Sequence, residues 1–193
     1  MWSPFFDRTF KSQFSVAKSD VFIIDPNNNE DYKALCAVLK HIHGMEFGDH
    51  IQNDPEDWSS GQGVLDRCIK VYTVADKYDF PSVRRQVIEL VNDHLRINKR
   101  KKSSWQSVRS VTPGLAEHIA SICGPNAPQL ADLALRDTLF DWLAGNFDLV
   151  SQEPEIKAKI EDGSLLDDEF TPLLLLRLAG MVHSLIEEKI ARG

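Results

Sequence analysis

Between Val64 and Leu95 apolar residues recur every three or four positions in two consecutive runs. In the first, Val64, Cys68, Val71, Tyr72 and Ala75 share one helical face, while Asp66, Arg67, Lys70, Thr73, Asp76 and Lys77 fall between them. In the second, Val83, Val87, Leu90, Val91 and Leu95 repeat the pattern, with Arg84, Arg85, Glu89, Asn92 and Asp93 opposite. The pattern predicts two amphipathic helices joined at Asp79-Phe80-Pro81. Pro81 suits a first helical turn, where it has no N–H to lose, and so short a joint sets the helices antiparallel or at a steep angle. Burying a Val, Leu or Tyr side chain is worth about 1.5–3 kcal/mol, against about 0.2–0.5 kcal/mol for a surface pair such as Asp66 with Lys70. The apolar stripes are therefore read as core and the intervening charges as a wet surface.

Upstream, Val21-Phe22-Ile23-Ile24, between Ser19-Asp20 and Asp25, is a β-branched and aromatic run that predicts a buried strand, although no partner strand is evident. Trp2, Phe5, Phe6, Phe10 and Phe14 need a core to enter. Pro26-Asn27-Asn28-Asn29 reads as a turn, with Asn28 or Asn29 capping a helix that begins near Glu30 and Asp31. Its apolar face is Tyr32, Leu35, Cys36, Leu39 and Ile42, and Gly44 is placed to end it in a left-handed cap. A polar loop follows from Gly48 to Gly63.

Beyond Leu95 the basic run Lys99-Arg100-Lys101-Lys102 marks a change of composition, after which only helices are expected. Trp105 to Val111 reads as an entry turn. Leu115 to Cys123 forms a short helix ended by Gly124-Pro125, and a longer one runs from about Gln129 to Ala144 through Leu130, Leu133, Ala134, Phe140 and Leu143, with Trp142 alongside. Pro154 to Ile160 makes another, broken by Asp162-Gly163. The last, Phe170 to about Ile190, is dense in leucine from Leu173 to Leu176 and continues through Leu178, Met181, Val182, Leu185 and Ile186. Arg177 interrupts it, so it is read as a buried helix rather than a membrane span. Its apolar face is expected to be core, with docking of a partner helix as the alternative.

A hydrophobic content of 42% with 26% charged residues is that of a globular chain, so disorder is not expected for most of it. The formal charge of -7 argues against general nucleic-acid binding, which needs a positive surface to exchange for counterions. Cys36, Cys68 and Cys123 are odd in number, far apart and never in a C-x-x-C pair, which suggests neither a disulfide framework nor a zinc finger. No secretory signal and no uninterrupted 18-residue apolar run is visible. The expected location is intracellular, cytoplasmic or nuclear, and no membrane is expected as a partner.

Val71-Tyr72-Thr73-Val74-Ala75-Asp76-Lys77-Tyr78-Asp79-Phe80-Pro81 resembles the "VYxLADKYxxP" segment of BTB/POZ domains, especially the divergent ones of fungi. Ser3-Pro4-Phe5-Phe6 is similar to the motif that opens the second long segment of such a domain, and Val21 to Asp25 to the strand after it. Tyr32, Leu35, Leu39, Ile42, Gly44 and Phe47 match a further helical segment of the family. The resemblance covers about Ser3 to Arg96, the latter two-thirds of the domain; the strands and helix that precede this point in the family are not found here, so a truncated domain is expected.

The fold implied is α+β and predominantly helical, with an incomplete BTB/POZ-like domain over 1–98, a basic linker at 99–104 and a helical region over 105–193. The resemblance implies a non-catalytic protein–protein interaction module, a scaffold or adaptor. Some family members recruit substrates to cullin-type ubiquitin ligases and others act in transcription. In many of them the missing N-terminal elements build the dimer interface, so self-association is not carried over. A small enzyme of unrecognised type and a degenerate remnant of the domain are the alternatives.

No catalytic, cofactor-binding or metal-ligating residue is nominated, and no partner-binding residue either. Cys36, His41, His43, His50 and Cys68 make the sharpest metal candidate, but His41 and His43, two positions apart on a helix, point in nearly opposite directions. They are read instead as stabilising carbonyls near a helix end. Gly61-Gln62-Gly63 lacks the preceding strand and the Gly-Lys-Ser/Thr of a phosphate loop. No G-x-S-x-G occurs. The run Lys99 to Lys102, extended by Arg96 and Arg109 and followed by Trp105, is read as a solvated linker or helix end, with a nuclear localisation signal and nucleic-acid contact as alternatives.

Overall fold

The computed structural model describes residues 8, 11, 32–45, 63–100 and 114–191. Among them the chain forms eight helices and no strand, which corrects the α+β expectation to an all-helical one. The strand expected at Val21 to Asp25 and the aromatic cluster from Trp2 to Phe14 lie outside the described residues, as do the loop over 48–62, His50 and the entry turn at 105–111. The chain divides into two compact units, Met1–Lys101 with Leu130–Leu133, and Lys102–Gln129 with Ala134–Gly193.

In the first unit, α1 (Tyr32–Ile42) packs on α2 (Val64–Lys77), and α2 on α3 (Pro81–Arg100). The stripes read from the sequence are the core: Cys68, Val71, Tyr72, Ala75, Val83, Val87 and Val91 are fully buried. Ala75 admits α3 at close range, and the rings of Tyr78 and Phe80 close the turn beside it. That turn is a Schellman arrangement, in which Phe80 donates its N–H to the Ala75 carbonyl at 2.8 Å and Asp79 to that of Asp76 at 3.2 Å. It puts a non-glycine residue, Asp79, at a φ of 53°, a conformation that short polar side chains tolerate best. Pro81 then opens α3 as expected.

The same device ends α1, where Gly44 sits at a φ of 82° and Met45 donates to the Lys40 carbonyl at 3.2 Å. The face that α1 buries differs from the expected one. Ala34, Leu35, Ala37 and Val38 are inside, whereas Tyr32 and Leu39 are exposed. Two alanines let the helix lie close against α2, and the larger side chains stay at its margins.

The second unit holds α4 (Leu115–Cys123), α5 (Ala134–Ala144), a single turn α6 (Phe147–Val150), α7 (Pro154–Glu161) and α8 (Phe170–Ala191). Ile119, Ile122, Leu135, Leu139, Leu143, Val150, Ile156 and Leu165 form its core, α5 lying between α4 and α8. Gly124 follows α4, and Gly163, at a φ of 73°, follows α7, both where the breaks were expected. The helix expected from Gln129 begins only at Ala134. Residues 130–133 are non-helical, and the N–H groups of Ala131 and Asp132 within them are engaged by a side chain of the first unit, as described below.

The origin of α8 is local. Asp167 Oδ1 accepts the N–H groups of Glu169 and Phe170, each at 3.0 Å, supplying partners for donors that a helix N-terminus leaves free. The Asp167 carboxylate also pairs with Arg136, whose guanidinium lies 4.6 Å from the Phe170 ring centre. Phe170 in turn stacks on Phe140 at 4.7 Å, which seats the first turn of α8 on α5.

Candidate interaction surface

Among the described side chains of α8, only Phe170 and Leu174, in its first two turns, are buried in the core. Beyond Leu174 every described side chain of the helix except the half-buried Leu178 is exposed. Leu175 is 63% exposed, Leu176 70%, Val182 56%, Ile186 52% and Ile190 75%. With Ala179, Leu175, Val182, Ile186 and Ile190 recur four, three, four and four positions apart, so they form one stripe along the helix. This corrects the expectation that the Leu173 to Ile186 face is core. Arg177 lies behind the stripe and pairs with Asp141 of α5, and His183 stands 3.2 Å from Glu187. Among the described residues no helix is long and apolar enough to cross a membrane.

The first unit carries a different kind of feature, a polar hub on the faces of α2 and α3 that were read as wet. The Asp76 side chain is only 6% exposed. Its carboxylate accepts the N–H of Ala131 at 2.7 Å and that of Asp132 at 3.1 Å. Arg84 lies 3.6 Å from Asp76, 3.4 Å from Asp79 and 3.1 Å from Asp132, and it also donates to the Ala75 carbonyl at 3.4 Å. Tyr72 donates its hydroxyl hydrogen to the Asp132 carbonyl at 3.1 Å. Three side chains from two helices thus hold the strap 130–133 against the unit, and each backbone group they engage is lost to helix formation. The hub is a binding site already filled by the chain's own backbone.

The residues weighed as metal ligands are not brought together. Cys36 is half-buried on α1, His41 sits in the last turn of that helix, His43 is exposed just past it, and Cys68 is sealed within α2. Among the described residues no three His, Cys, Asp or Glu side chains are grouped as an ion would require. Burial pushes the thiols of Cys68 and Cys123 up to about 12, and it lowers the imidazoles of His41 and His94 below their ordinary value. These groups stand on separate helices and are shifted first of all by desolvation, which is what packing does to an ionisable group whether or not it has a task. Lys99 and Arg100 belong to the last turn of α3, the helix-end reading of the basic run, while Lys101 and Lys102 lie outside the described residues.

Sequence reasoning missed the strap and its hub, and it placed the stripe of α8 inside. The spacing of Leu175, Ala179, Val182 and Ile186 was the signal for a second seam on that helix, distinct from the Phe170 and Leu174 side. No family model, curated protein or solved structure matches the chain.

Proposed function

We propose that this chain is a non-catalytic protein–protein interaction module and that the outer stripe of α8 is its contact surface. The observation that carries this reading is the exposure of Leu175, Leu176, Val182, Ile186 and Ile190 on one helix whose buried residues, among those described, are Phe170 and Leu174 in its first two turns. Apolar side chains scattered singly over a surface need no explanation, but a contiguous exposed row marks a place where another surface is covered. A row with i, i+4, i+7 spacing is the form in which one helix presents anchors to another. The resemblance of Val71 to Pro81 to a segment of BTB/POZ interaction domains supports the same class of function.

The test compares the proteins retained by the full chain and by its Val182→Glu variant from extracts of its own cells. Val182 is exposed, so the substitution leaves the fold intact while placing a charge that binding would have to desolvate. At least one protein held by the wild type and lost by the variant is expected; identical retained sets overturn the proposal.

A further inference from the structure

We infer that the hub of Tyr72, Asp76 and Arg84 is a recognition site for an extended, aspartate-bearing peptide segment, occupied in cis by residues 130–133, and that a partner's segment of the same chemistry binds there by displacing the strap. This surface belongs to the first unit and is independent of the α8 stripe. The hub holds the strap almost wholly through groups that any peptide has. Asp76 accepts two consecutive N–H groups, at 2.7 and 3.1 Å, and Tyr72 donates its hydroxyl hydrogen to the carbonyl of the second residue. One strap side chain takes part, the Asp132 carboxylate, to which Arg84 Nε donates at 3.1 Å. Ala131 and Leu133 are exposed, and Leu130 and Asp132 are half-buried, so no side chain of the strap belongs to the core. The helices of the same unit are held the other way, by apolar burial. Main-chain hydrogen bonds for affinity with a side-chain contact for choice is the division of labour by which proteins take up extended peptides.

The site also stands without its occupant. Tyr72 and Ala75 are fully buried on α2, so core packing of the ring fixes the Tyr72 hydroxyl. The terminal nitrogens of Arg84 are engaged within the α2–α3 pair, Nη1 by the Ala75 carbonyl and Nη2 by Asp79, each at 3.4 Å, which leaves Nε for the strap. Asp76 stands 3.6 Å from the same guanidinium. None of these contacts comes from residues 130–133, so a departing strap leaves recognition groups already in place, and a ligand meets little ordering cost. The contacts define what fits: two successive residues with free N–H groups, which bars proline from both, and an acidic side chain on the second. The exposed Ala131 and Leu133 impose no side chain of their own. A tethered strap acts at an effective concentration of the order of millimolar, so the intact chain binds a competitor more weakly than a chain whose strap is disabled.

The probe is the peptide Pro-Gln-Leu-Ala-Asp-Leu, the sequence of residues 128–133, labelled with fluorescein and followed by anisotropy against the full chain. Ala131→Pro with Asp132→Ala opens the strap by removing an N–H that Asp76 accepts and the carboxylate that Arg84 Nε holds. The open chain is expected to bind the probe at least about tenfold more tightly than wild type does. A probe with Asn in place of its Asp, or Tyr72→Phe in the open chain, which keeps the buried ring, should each weaken that binding by roughly threefold or more. No binding by the open chain, equal binding by open chain and wild type, or indifference to both the Asn probe and Tyr72→Phe would overturn the inference. Should the open chain not unfold cooperatively, wild type carries the test. Unlabelled peptide at about 5 mM, above the effective concentration of the strap, should then speed hydrogen exchange at the amides of Ala131 and Asp132 while a scrambled peptide does not. Exchange unchanged by the peptide, or equally changed by both, overturns it as well.

Discussion

The carboxylate of Asp76 receives the main-chain N–H of Asp132, 56 positions further along the sequence, at 3.1 Å. Its other oxygen receives the N–H of Ala131, so one side chain holds two consecutive peptide groups. Such charge-assisted bonds in a place that water hardly reaches are the stronger kind.

Asp76→Asn should therefore be costly despite its near-identical shape. An amide has one acceptor oxygen where the carboxylate has two, and Arg84 loses one of the three carboxylates around it. A loss of about 1.5–3 kcal/mol is expected, measured by urea unfolding, with faster hydrogen exchange at the amides of Ala131 and Asp132. Unchanged exchange at those two amides would show that the strap is held by something else.

Two glycines should respond in opposite directions to alanine. A Cβ on Gly124 would run into the backbone oxygens of Ala120 and Ser164, the latter at 2.7 Å, and neither can move without shifting a helix or the turn beside it. Gly124→Ala should cost about 1–3 kcal/mol, as overpacking does. At Gly180, inside α8, a Cβ meets nothing within 4 Å. Gly180→Ala should stabilise the chain by about 0.5–1 kcal/mol through helix propensity alone. Thermal unfolding of the pair decides it; equal effects would contradict the packing described at Gly124.

The three thiols should separate by accessibility. Cys68 and Cys123 are buried and held protonated by burial, whereas Cys36 is half-buried. Since the thiolate is the reactive form, a thiol-specific reagent at neutral pH should label Cys36 in the native protein and all three after denaturation. Rapid native labelling of Cys68 or Cys123 would mean that their helices open far more often than their packing allows.

Stability should fall on the acid side of neutrality in a way that His94 controls in part. Burial lowers its folded pKa below the ordinary 6.5, so as the pH drops the unfolded chain takes up the proton first. The contribution is whole above 6.5 and is lost progressively below it, until the folded imidazole itself protonates. His94→Gln should flatten this part of the profile in urea unfolding between about pH 7.5 and about pH 5. A slope unchanged by the substitution would assign the acid sensitivity to His41, which burial shifts in the same direction.

What the sequence revealed and what it hid divide by range. Val71, Tyr72, Val83 and Val87, the turn at Asp79-Phe80-Pro81 and the stop at Gly44 are legible because helix periodicity and termination are decided within a few residues. The hub was not, since nothing near Asp76 or Arg84 announces a partner at 131 and 132, and on a helical wheel both residues fall on the polar side. The exposure of Val182 and Ile186 failed for a related reason. A helix apolar on two sides reads as buried, and whether a second side has something to pack against is a property of its surroundings. The buried face of α1 was misjudged by side-chain size, because Tyr32 and Leu39 outweigh Ala34 and Ala37 on any hydrophobic scale while the alanines allow the closer approach.

The path of the chain through the strap bears on how the protein can be cut. Residues 114–129 belong to the second unit, 130–133 to the first and 134–191 to the second again, so neither unit is one uninterrupted stretch of polypeptide. An expression boundary drawn at the basic run after α3 would strip the first unit of the four residues that Tyr72, Asp76 and Arg84 grip, and expose a nearly buried carboxylate with no peptide to hold. On the ribosome, likewise, the first unit must wait for the whole stretch Lys102–Gln129 of its neighbour to emerge before its last piece arrives.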